Sequence, residues 1–158
     1  MIGVQTIGNA TLIAYDDKPI ISTDPWLGAN DYAYFGSWCL SYELPIDIKS
    51  DILNSKYIFF SHGHPDHLNP DSLHNFKNNN IILGNHLGGR IYNDLKNQGF
   101  KVTILEEKKW INLSKNISVM SLSTKIQDTI LLIKVNNDIF ITVVFGFELF
   151  QSRLVGHI

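Results

Sequence analysis

Cysteine, charge and long apolar runs are all scarce in this sequence of 158 residues. Its one cysteine, Cys39, cannot form an internal disulfide, and we expect a buried or half-buried thiol there. No apolar run approaches the about 18 residues of a membrane-spanning helix, and the N-terminus lacks the basic and apolar regions of a signal peptide. These absences predict a cytoplasmic protein without a membrane span.

The charge balance argues against two broad classes of partner. Charged residues make up 18% of the chain, the formal net charge is −2, and no long basic run occurs. Such a chain has no general attraction for nucleic acid or for anionic membranes, so we expect a small-molecule substrate. The length and the 44% hydrophobic content suit a single domain over residues 1–158.

Patterns of apolar and turn residues predict the order of the elements. Strands and helices alternate in the first part, which favours an α/β fold with helices on a mixed sheet, and only strands follow Trp110. Asn69 and Pro70 predict the N-cap and first residue of a helix, and residues 136–138 predict a hairpin turn. The predicted strands are residues 4–7, 11–15, 20–23, 57–60, 81–83, 102–105, 117–122, 129–135 and 139–145, and the predicted helices are residues 71–78 and 89–98.

A long loop over residues 25–46 is rich in aromatic side chains, which argue against disorder. One interpretation makes this loop a wall of a substrate cleft, with Trp26 and Trp38 as candidate cleft residues. The alternative is that the aromatic side chains simply pack beneath the loop. The sequence leaves both interpretations open.

The most informative segment is His62-Gly-His64-Pro-Asp66-His67, which follows the apolar strand of residues 57–60. Imidazole nitrogens and carboxylate oxygens are ligands that suit zinc and similar cations. Each such group is costly to bury unpaired, so ordinary packing does not explain four of them in six residues. The segment therefore predicts a metal site.

The spacing within this motif has a mechanical explanation. In nearly extended backbone, side chains two positions apart point the same way, so His62 and His64 can converge on one metal. Pro65 biases His64 towards extended backbone. The turn that follows sends Asp66 and His67 to a different side, where they can serve a second, adjacent metal.

At these residues the chain resembles the metallo-β-lactamase superfamily, whose signature is His-x-His-x-Asp-His at the end of a strand. Residues 8–13 and 20–27 look like the opening of the branch that includes the N-acylphosphatidylethanolamine phospholipase, ascorbate-6-phosphate lactonase and CMP-N-acetylneuraminate hydroxylase-type proteins. The resemblance covers roughly residues 2–143. It implies an αββα sandwich, mainly its N-terminal half, with a mixed sheet and helices on one face.

The resemblance also implies a site and its chemistry. His62, His64, Asp66 and His67 would bind one or two zinc ions, with iron or manganese as alternatives, and a metal-bound water would hydrolyse the substrate. Asp66 would bind the second metal or, with one metal, act as the catalytic base that orients the water. Asp24 matches the family's first motif, an aspartate behind the metal loop that orients the ligand imidazoles; its alternative is a plain turn residue.

Downstream, the sequence departs from the family's pattern. The related enzymes supply a further histidine, a bridging aspartate and a final histidine, yet no histidine occurs between His86 and His157. His86 is a candidate cleft residue, His157 needs no role, and Asp128 is best interpreted as a turn residue. The departures predict an incomplete family member in which residues from about 142 to 158 form an aberrant tail.

Two functions from different classes follow. The first is a metal-dependent hydrolase of the phosphodiesterase or lactonase kind, impaired by the missing ligands, and the second is a catalytically inactive remnant that serves as a binding or assembly module. An oxygenase partner lacks support because no Cys/His pairs for a Rieske cluster are present. The segment 129–150 is so apolar that we expect it to be buried against another surface. This predicts a homo-oligomer, aggregation or a partner, with the C-terminal strand at the contact.

Overall fold

Two packed β-sheets with helices on one side make up the protein. A computed structural model describes residues 1–124, 128–145 and 148–154, and within these ranges the chain forms three α-helices and eleven strands. The helices are α1 (Ile46–Asn54), α2 (Pro70–Leu73) and α3 (Arg90–Asn97). The strands are β1 (Ile2–Gly8), β2 (Thr11–Asp16), β3 (Lys18–Thr23), β4 (Tyr57–Phe60), β5 (Asn80–Leu83), β6 (Lys101–Ile104), β7 (Ile111–Asn112), β8 (Ile117–Ser123), β9 (Thr129–Val135), β10 (Asp138–Phe145) and β11 (Glu148–Leu154).

Strands β1 to β6 form a mixed sheet in the order of the sequence. β1, β2 and β3 are antiparallel neighbours, whereas β3, β4, β5 and β6 run parallel. Each parallel connection contains one of the three helices, as crossovers between parallel strands usually do. The carboxyl ends of four parallel strands therefore share one edge, where the loops that follow them can build a site.

Strand β4 shows why this sheet needs a continuous apolar sequence. Ile58 and Phe60 pack in the core beneath the helices, together with Ile52 and Phe76, whereas Phe59 packs in a second core between the two sheets. Successive side chains of a strand point to opposite faces, so a strand covered on both faces is apolar throughout. Burial of each such side chain contributes about 1.5–3 kcal/mol.

The second sheet is antiparallel and covers the face opposite the helices. Its strands lie in the order β11-β10-β9-β8-β7. Ile117, Val119, Leu131 and Ile133 are fully buried and pack against the first sheet. Residues 136–137 form the turn between β9 and β10, which confirms the predicted hairpin. The layer order of helices, mixed sheet and antiparallel sheet confirms the α/β class.

The structure also corrects local predictions. Helix α1 and strands β7 and β11 have no counterpart among the predicted elements. The helix predicted over residues 71–78 is shorter, because α2 ends at Leu73 and a single 3₁₀ turn follows over His74–Phe76. Cys39 is exposed rather than buried or half-buried, and it lies in the aromatic loop next to the exposed Trp38. Among the described residues, no helix has both the length and the apolar character needed to cross a membrane.

A polar contact joins the two sheets at Asp16. Its carboxylate accepts from the Asn116 main-chain N–H at 3.2 Å and from Asn116 Nδ2 at 2.7 Å. Hydrogen bonds from Asn116 and then from Ser114 hold the pKa of Asp16 below its ordinary value. A depressed pKa stabilises the folded state at pH values above the pKa of the unfolded chain, and this stabilisation is lost as the pH falls through the folded-state pKa.

We therefore expect Asp16→Ala to lower the melting temperature at pH 7, and the difference from the parent to shrink as the pH falls below about 4. Asp94→Ala, which removes an exposed carboxylate on α3, is the control and should have little effect. Melting curves from pH 7 to pH 3 measure both. A difference between parent and Asp16→Ala that stays constant over this range would contradict the prediction.

The outer face of the second sheet is largely apolar. Six half-buried apolar side chains lie on it beside Ser118 and Lys134: Met120, Leu122, Ile130, Leu132, Ile139 and Ile141. Strand β11 lies at the edge of the same sheet. Side chains after residue 142 lie outside the described residues, so association through the C-terminal strand stays a prediction.

For this surface we expect the purified protein to sediment as a dimer or a larger species, because apolar faces and sheet edges favour association. Leu132→Lys should shift the distribution towards monomer, because a lysine is costly to bury at a contact. Leu53→Lys replaces an exposed leucine on α1 and serves as the control. A stable parent monomer that binds no hydrophobic dye would rule out this association.

Candidate metal centre

The His62–His67 motif lies in the loop directly after β4, at the edge where the parallel strands end. The loop turns sharply, because the N–H groups of His67 and Leu68 both donate to the main-chain oxygen of His64, at 2.9 and 2.8 Å. Pro65 lies inside this turn, as the sequence predicts. The turn brings the side chains of the motif together above the end of the sheet.

The four polar side chains form two facing pairs. His62 Nε2 lies 2.9 Å from His64 Nδ1, and His67 Nε2 lies 3.5 Å from Asp66 Oδ2. The pairs are adjacent, since the ring centroids of His62 and His67 are 4.2 Å apart. Two donors bonded to one tetrahedral zinc at about 2.0–2.1 Å lie about 3.3 Å from each other, so each pair has nearly the spacing of two ligands of one ion.

These donors fit a metal as two half-sites rather than as one closed site. Among the residues that the structure describes, no group of three or more His, Cys, Asp or Glu has the arrangement of a metal site. Each pair offers two donors and leaves the remaining positions to water or further ligands. The assignment of His62 and His64 to one ion and of Asp66 and His67 to another stays a prediction, as does metal binding itself.

Asp24 lies beneath the motif and is almost completely buried. Its Oδ1 accepts from the Ser61 N–H at 2.8 Å, and its Oδ2 is bonded to Ser61 Oγ at 2.7 Å and to His67 Nδ1 at 3.1 Å. Ser61 Oγ is also 2.9 Å from His62 Nδ1. A carboxylate only accepts, so the Ser61 hydroxyl donates to Asp24 and accepts from His62 Nδ1–H. Asp24 thus bonds Nδ1 of His67 directly and acts on Nδ1 of His62 through Ser61. In both imidazoles Nε2 is then the nitrogen available to a metal.

The backbone of Asp24 is also specialised. Its φ is 39°, a left-handed conformation that aspartate tolerates better than most residues. Its N–H donates to Phe59 O at 2.8 Å, and its own carbonyl accepts from Thr11 Oγ1 at 3.0 Å. Asp24 thus lies within hydrogen-bonding reach of the metal loop, which is the position expected from the sequence.

The surroundings act in opposite directions on the two buried imidazoles. Burial first, and then the positive charge of His67, lower the pKa of His62 below its ordinary value. Burial opposes protonation of His67 as well, but its hydrogen bond to Asp24 and the charges of Asp24, Asp66 and Asp128 raise its pKa above the ordinary value. The two neighbouring imidazoles therefore differ in how readily each takes up a proton.

Asp128 belongs to this neighbourhood, although its sequence context favours a turn residue. Its N–H donates to Thr124 Oγ1 at 3.1 Å. Its charge also acts on both His62 and His67. The next residue, Thr129, donates its N–H to the Ser61 carbonyl at 3.1 Å. The start of β9 in the second sheet is therefore attached directly to the motif.

Tyr34, which the sequence distinguishes only as one aromatic of the long loop, contacts the motif. Its hydroxyl donates to Asp66 Oδ1 at 2.6 Å. Burial first, then this hydrogen bond and the charge of Asp66, raise the pKa of Tyr34 to about 12, so the phenol remains a donor at neutral pH. Tyr34 and Phe35 have φ values of 49° and 59°, and such left-handed residues cost ~1–3 kcal/mol each.

The two tryptophans proposed from the sequence as cleft residues have different surroundings. Trp38 is 43% exposed and stacks on Tyr34, with ring centroids 5.9 Å apart, so it lies on the surface beside the motif. Trp26 is 1% exposed, belongs to the core beneath the helices, and donates from Nε1 to Asp31 O at 2.9 Å. The structure therefore does not place Trp26 in an open cleft.

His86 follows β5 and lies beside an open cavity of about 380 Å³. The cavity is lined by Asn85, His86, Leu87, Gly88, Gly89, Ser123 and Thr124. Gly84, which precedes this segment, packs so closely on Thr129 that a Cβ at Gly84 would lie 2.0 Å from Thr129 Oγ1. A contact from His86 to substrate stays a prediction. His157 lies outside the described residues.

Comparisons with known proteins agree with this geometry at the level of fold. No protein-family model matches the chain. Over 107 residues it is 30% identical to a cytidine monophosphate-N-acetylneuraminic acid hydroxylase from Asterias rubens. The aligned region covers 64% of this chain and 16% of that protein.

Several solved structures share the fold at low sequence identity. A diiron β-hydroxylase from Streptomyces venezuelae, CmlA, has a TM-score of 0.63 at 15% identity, over 87% of this chain and 28% of that one. A possible metal-dependent hydrolase from Veillonella parvula has a TM-score of 0.60 at 15% identity, over 87% and 58%. A metallo hydrolase from Ignicoccus hospitalis, Igni18, has a TM-score of 0.56 at 17% identity, over 86% and 57%. The chain spans less than two thirds of each of these proteins.

The fold and the histidine motif together define the class: this chain has the metallo-β-lactamase fold. Solved structures that share this fold include a possible metal-dependent hydrolase and a metallo hydrolase. The match to a CMP-N-acetylneuraminic acid hydroxylase fits the branch that the sequence resembles.

We expect Asp24→Ala to weaken Zn²⁺ binding about 10–100-fold, because His67 and Ser61 both lose their acceptor. Competition with a chromogenic chelator at fixed pH gives the dissociation constants. Asp94→Ala, an exposed carboxylate on α3, is the control, and Asp24→Asn is a second variant that preserves the side-chain volume. An Asp24→Ala protein that binds zinc as tightly as its parent would remove Asp24 from the metal centre.

Proposed function

We propose that this protein is a metal-dependent hydrolase that cleaves a phosphodiester or lactone bond in a small-molecule substrate. The proposal rests on one observation. Two adjacent pairs of potential ligands, His62 with His64 and Asp66 with His67, lie above the buried carboxylate of Asp24. His62, Asp66 and His67 are largely buried although they are polar. Ser61, Asp24 and Tyr34 each bond one polar atom of these side chains. A bound cation would explain why the remaining atoms, His62 Nε2, His67 Nε2 and Asp66 Oδ2, are directed at other polar groups of the motif.

Each residue of the centre has a role in this proposal. His62 and His64 hold one ion, and Asp66 and His67 hold a second, with zinc as the expected metal and iron or manganese as alternatives. A bound metal would lower the pKa of a water molecule and polarise the scissile carbonyl or phosphoryl group. With a single ion, Asp66 would instead orient the attacking water and accept its proton.

Three similar structures support the reaction class and the choice of metals. The similar structures from Veillonella parvula and Ignicoccus hospitalis are a possible metal-dependent hydrolase and a metallo hydrolase by name, which supports hydrolysis as the reaction class. The similar β-hydroxylase from Streptomyces venezuelae is a diiron protein, which supports iron as an alternative to zinc.

A second candidate function is a catalytically inactive binding or assembly module. One observation favours it: among the described residues each half-site has two donors, whereas a catalytic zinc usually has three protein ligands. Weak metal binding without turnover would follow from that geometry.

Metal content is the first test. We expect the purified protein to retain zinc, iron or manganese by elemental analysis. His64→Ala should lower that content, because the His62 half-site loses one of its two donors. His74→Ala, an exposed histidine outside the motif, should retain the parental content. A parent protein that binds no metal even after dialysis against each ion would contradict the proposal.

Turnover separates the two candidates on the same samples. Hydrolysis of bis(p-nitrophenyl) phosphate and of an aryl lactone, measured after loading with each metal, should exceed the rate of His64→Ala under the hydrolase proposal. Metal retention with parental rates no higher than those of His64→Ala would favour the binding or assembly module.

A further inference from the structure

The two oxygens of the Asp66 carboxylate have different partners. Oδ1 accepts from the Tyr34 hydroxyl at 2.6 Å, whereas Oδ2 faces His67 Nε2 at 3.5 Å. The main chain is fixed as well, because Asn9 Nδ2 donates to the Asp66 carbonyl at 3.1 Å. The carboxylate side chain is 12% exposed. One oxygen is thus engaged by a phenol, and the other is directed at the neighbouring imidazole.

The loop that carries Tyr34 is shaped to hold it in this position. Ala33 and Trp38 are bonded to each other in both directions, N–H to O, at 2.8 and 3.3 Å. Between them, Tyr34 and Phe35 both adopt left-handed conformations, which bulky residues seldom do, and Gly36 continues the turn with a φ of 87°. With this backbone, the phenol of Tyr34 lies against Asp66, and the side chain of Phe35 is fully exposed.

A shared anchor joins this loop to the motif. Asn69 caps α2, since its Oδ1 accepts from the Asp71 and Ser72 N–H groups at 3.0 and 2.9 Å, as the sequence predicts. Its Nδ2 donates to Tyr32 O and to Pro65 O, both at 3.2 Å. One buried side chain therefore fixes the aromatic loop and the turn of the motif relative to each other.

From this geometry we infer that Tyr34 is a positioning residue for metal binding: its hydroxyl engages Oδ1 of Asp66 and thereby directs Oδ2 to the ion shared with His67. The inference rests on the proposed function. Without the phenol, the Asp66 carboxylate is free to rotate about its Cβ–Cγ bond, because such terminal torsions have broad minima. The metal site then loses a preorganised ligand, so its affinity falls and its geometry changes.

A purely structural role for Tyr34 makes a different prediction. If the hydrogen bond to Asp66 only closed the aromatic loop, its loss would lower the stability of the metal-free protein and leave the properties of a bound metal unchanged. The stacking of Tyr34 on Trp38 is independent of the hydroxyl, so the two contributions can be separated by one substitution.

The experiment uses Tyr34→Phe, which removes the hydroxyl and keeps the ring. Tyr42→Phe is the matched control, because Tyr42 is similarly exposed (43% against 39%) and donates to Ile7 O at 2.7 Å rather than to the motif. Three quantities are measured for the full chain: the Zn²⁺ dissociation constant by chelator competition, the visible absorption of bound Co²⁺, and the melting temperature of the metal-free protein.

We expect Tyr34→Phe to bind Zn²⁺ about tenfold more weakly than the parent and to change the Co²⁺ spectrum, with a melting temperature that differs no more than that of Tyr42→Phe. Parental zinc affinity and an unchanged spectrum in Tyr34→Phe would overturn the inference, and so would a weaker affinity that accompanies a large loss of stability with an unchanged spectrum. A parent that binds neither ion would instead defeat the proposed function and this inference with it.

Discussion

The hydrogen bonds of one buried carboxylate, Asp24, organise the candidate metal centre. Asp24 follows β3 and Ser61 follows β4, and the parallel pairing of Thr23 with Phe59 brings the two strand ends side by side. A buried carboxylate costs several kcal/mol unless its oxygens are satisfied. Here they are satisfied by the main chain and hydroxyl of Ser61 and by His67, so the groups that stabilise Asp24 are the ones that Asp24 orients.

Much of the fold could be predicted, because its strands are locally distinctive. The apolar run of β4 and the turn at residues 136–137 are each specified by a few neighbouring residues. Helix α1 could not be predicted, because Pro45 precedes it without a side-chain cap and only Ile52 of its nine residues is buried. Strand β7 has two residues and exists through its pairing with β8, a contact that no local pattern encodes.

The same distinction between local and distant information explains the site. His62 to His67 are contiguous, and their composition alone indicates a metal centre. Tyr34 is 32 positions from Asp66 and reaches it only because two bulky residues adopt left-handed backbone, which intrinsic propensity argues against. Trp26 illustrates the converse, since an aromatic in a long loop has no sequence signal that distinguishes a cleft wall from a core residue, and Trp26 is in the core.

The position of the second sheet matters for the centre as much as for the core. Thr129 at the start of β9 donates to the Ser61 carbonyl, and Ser61 in turn bonds Asp24 and His62. A shift of β9 relative to the first sheet would therefore move the residue that fixes the His62 imidazole. The same contact brings the charge of Asp128 close enough to act on His62 and His67. A change at the start of β9 would consequently alter both the packing between the sheets and the electrostatics of the centre.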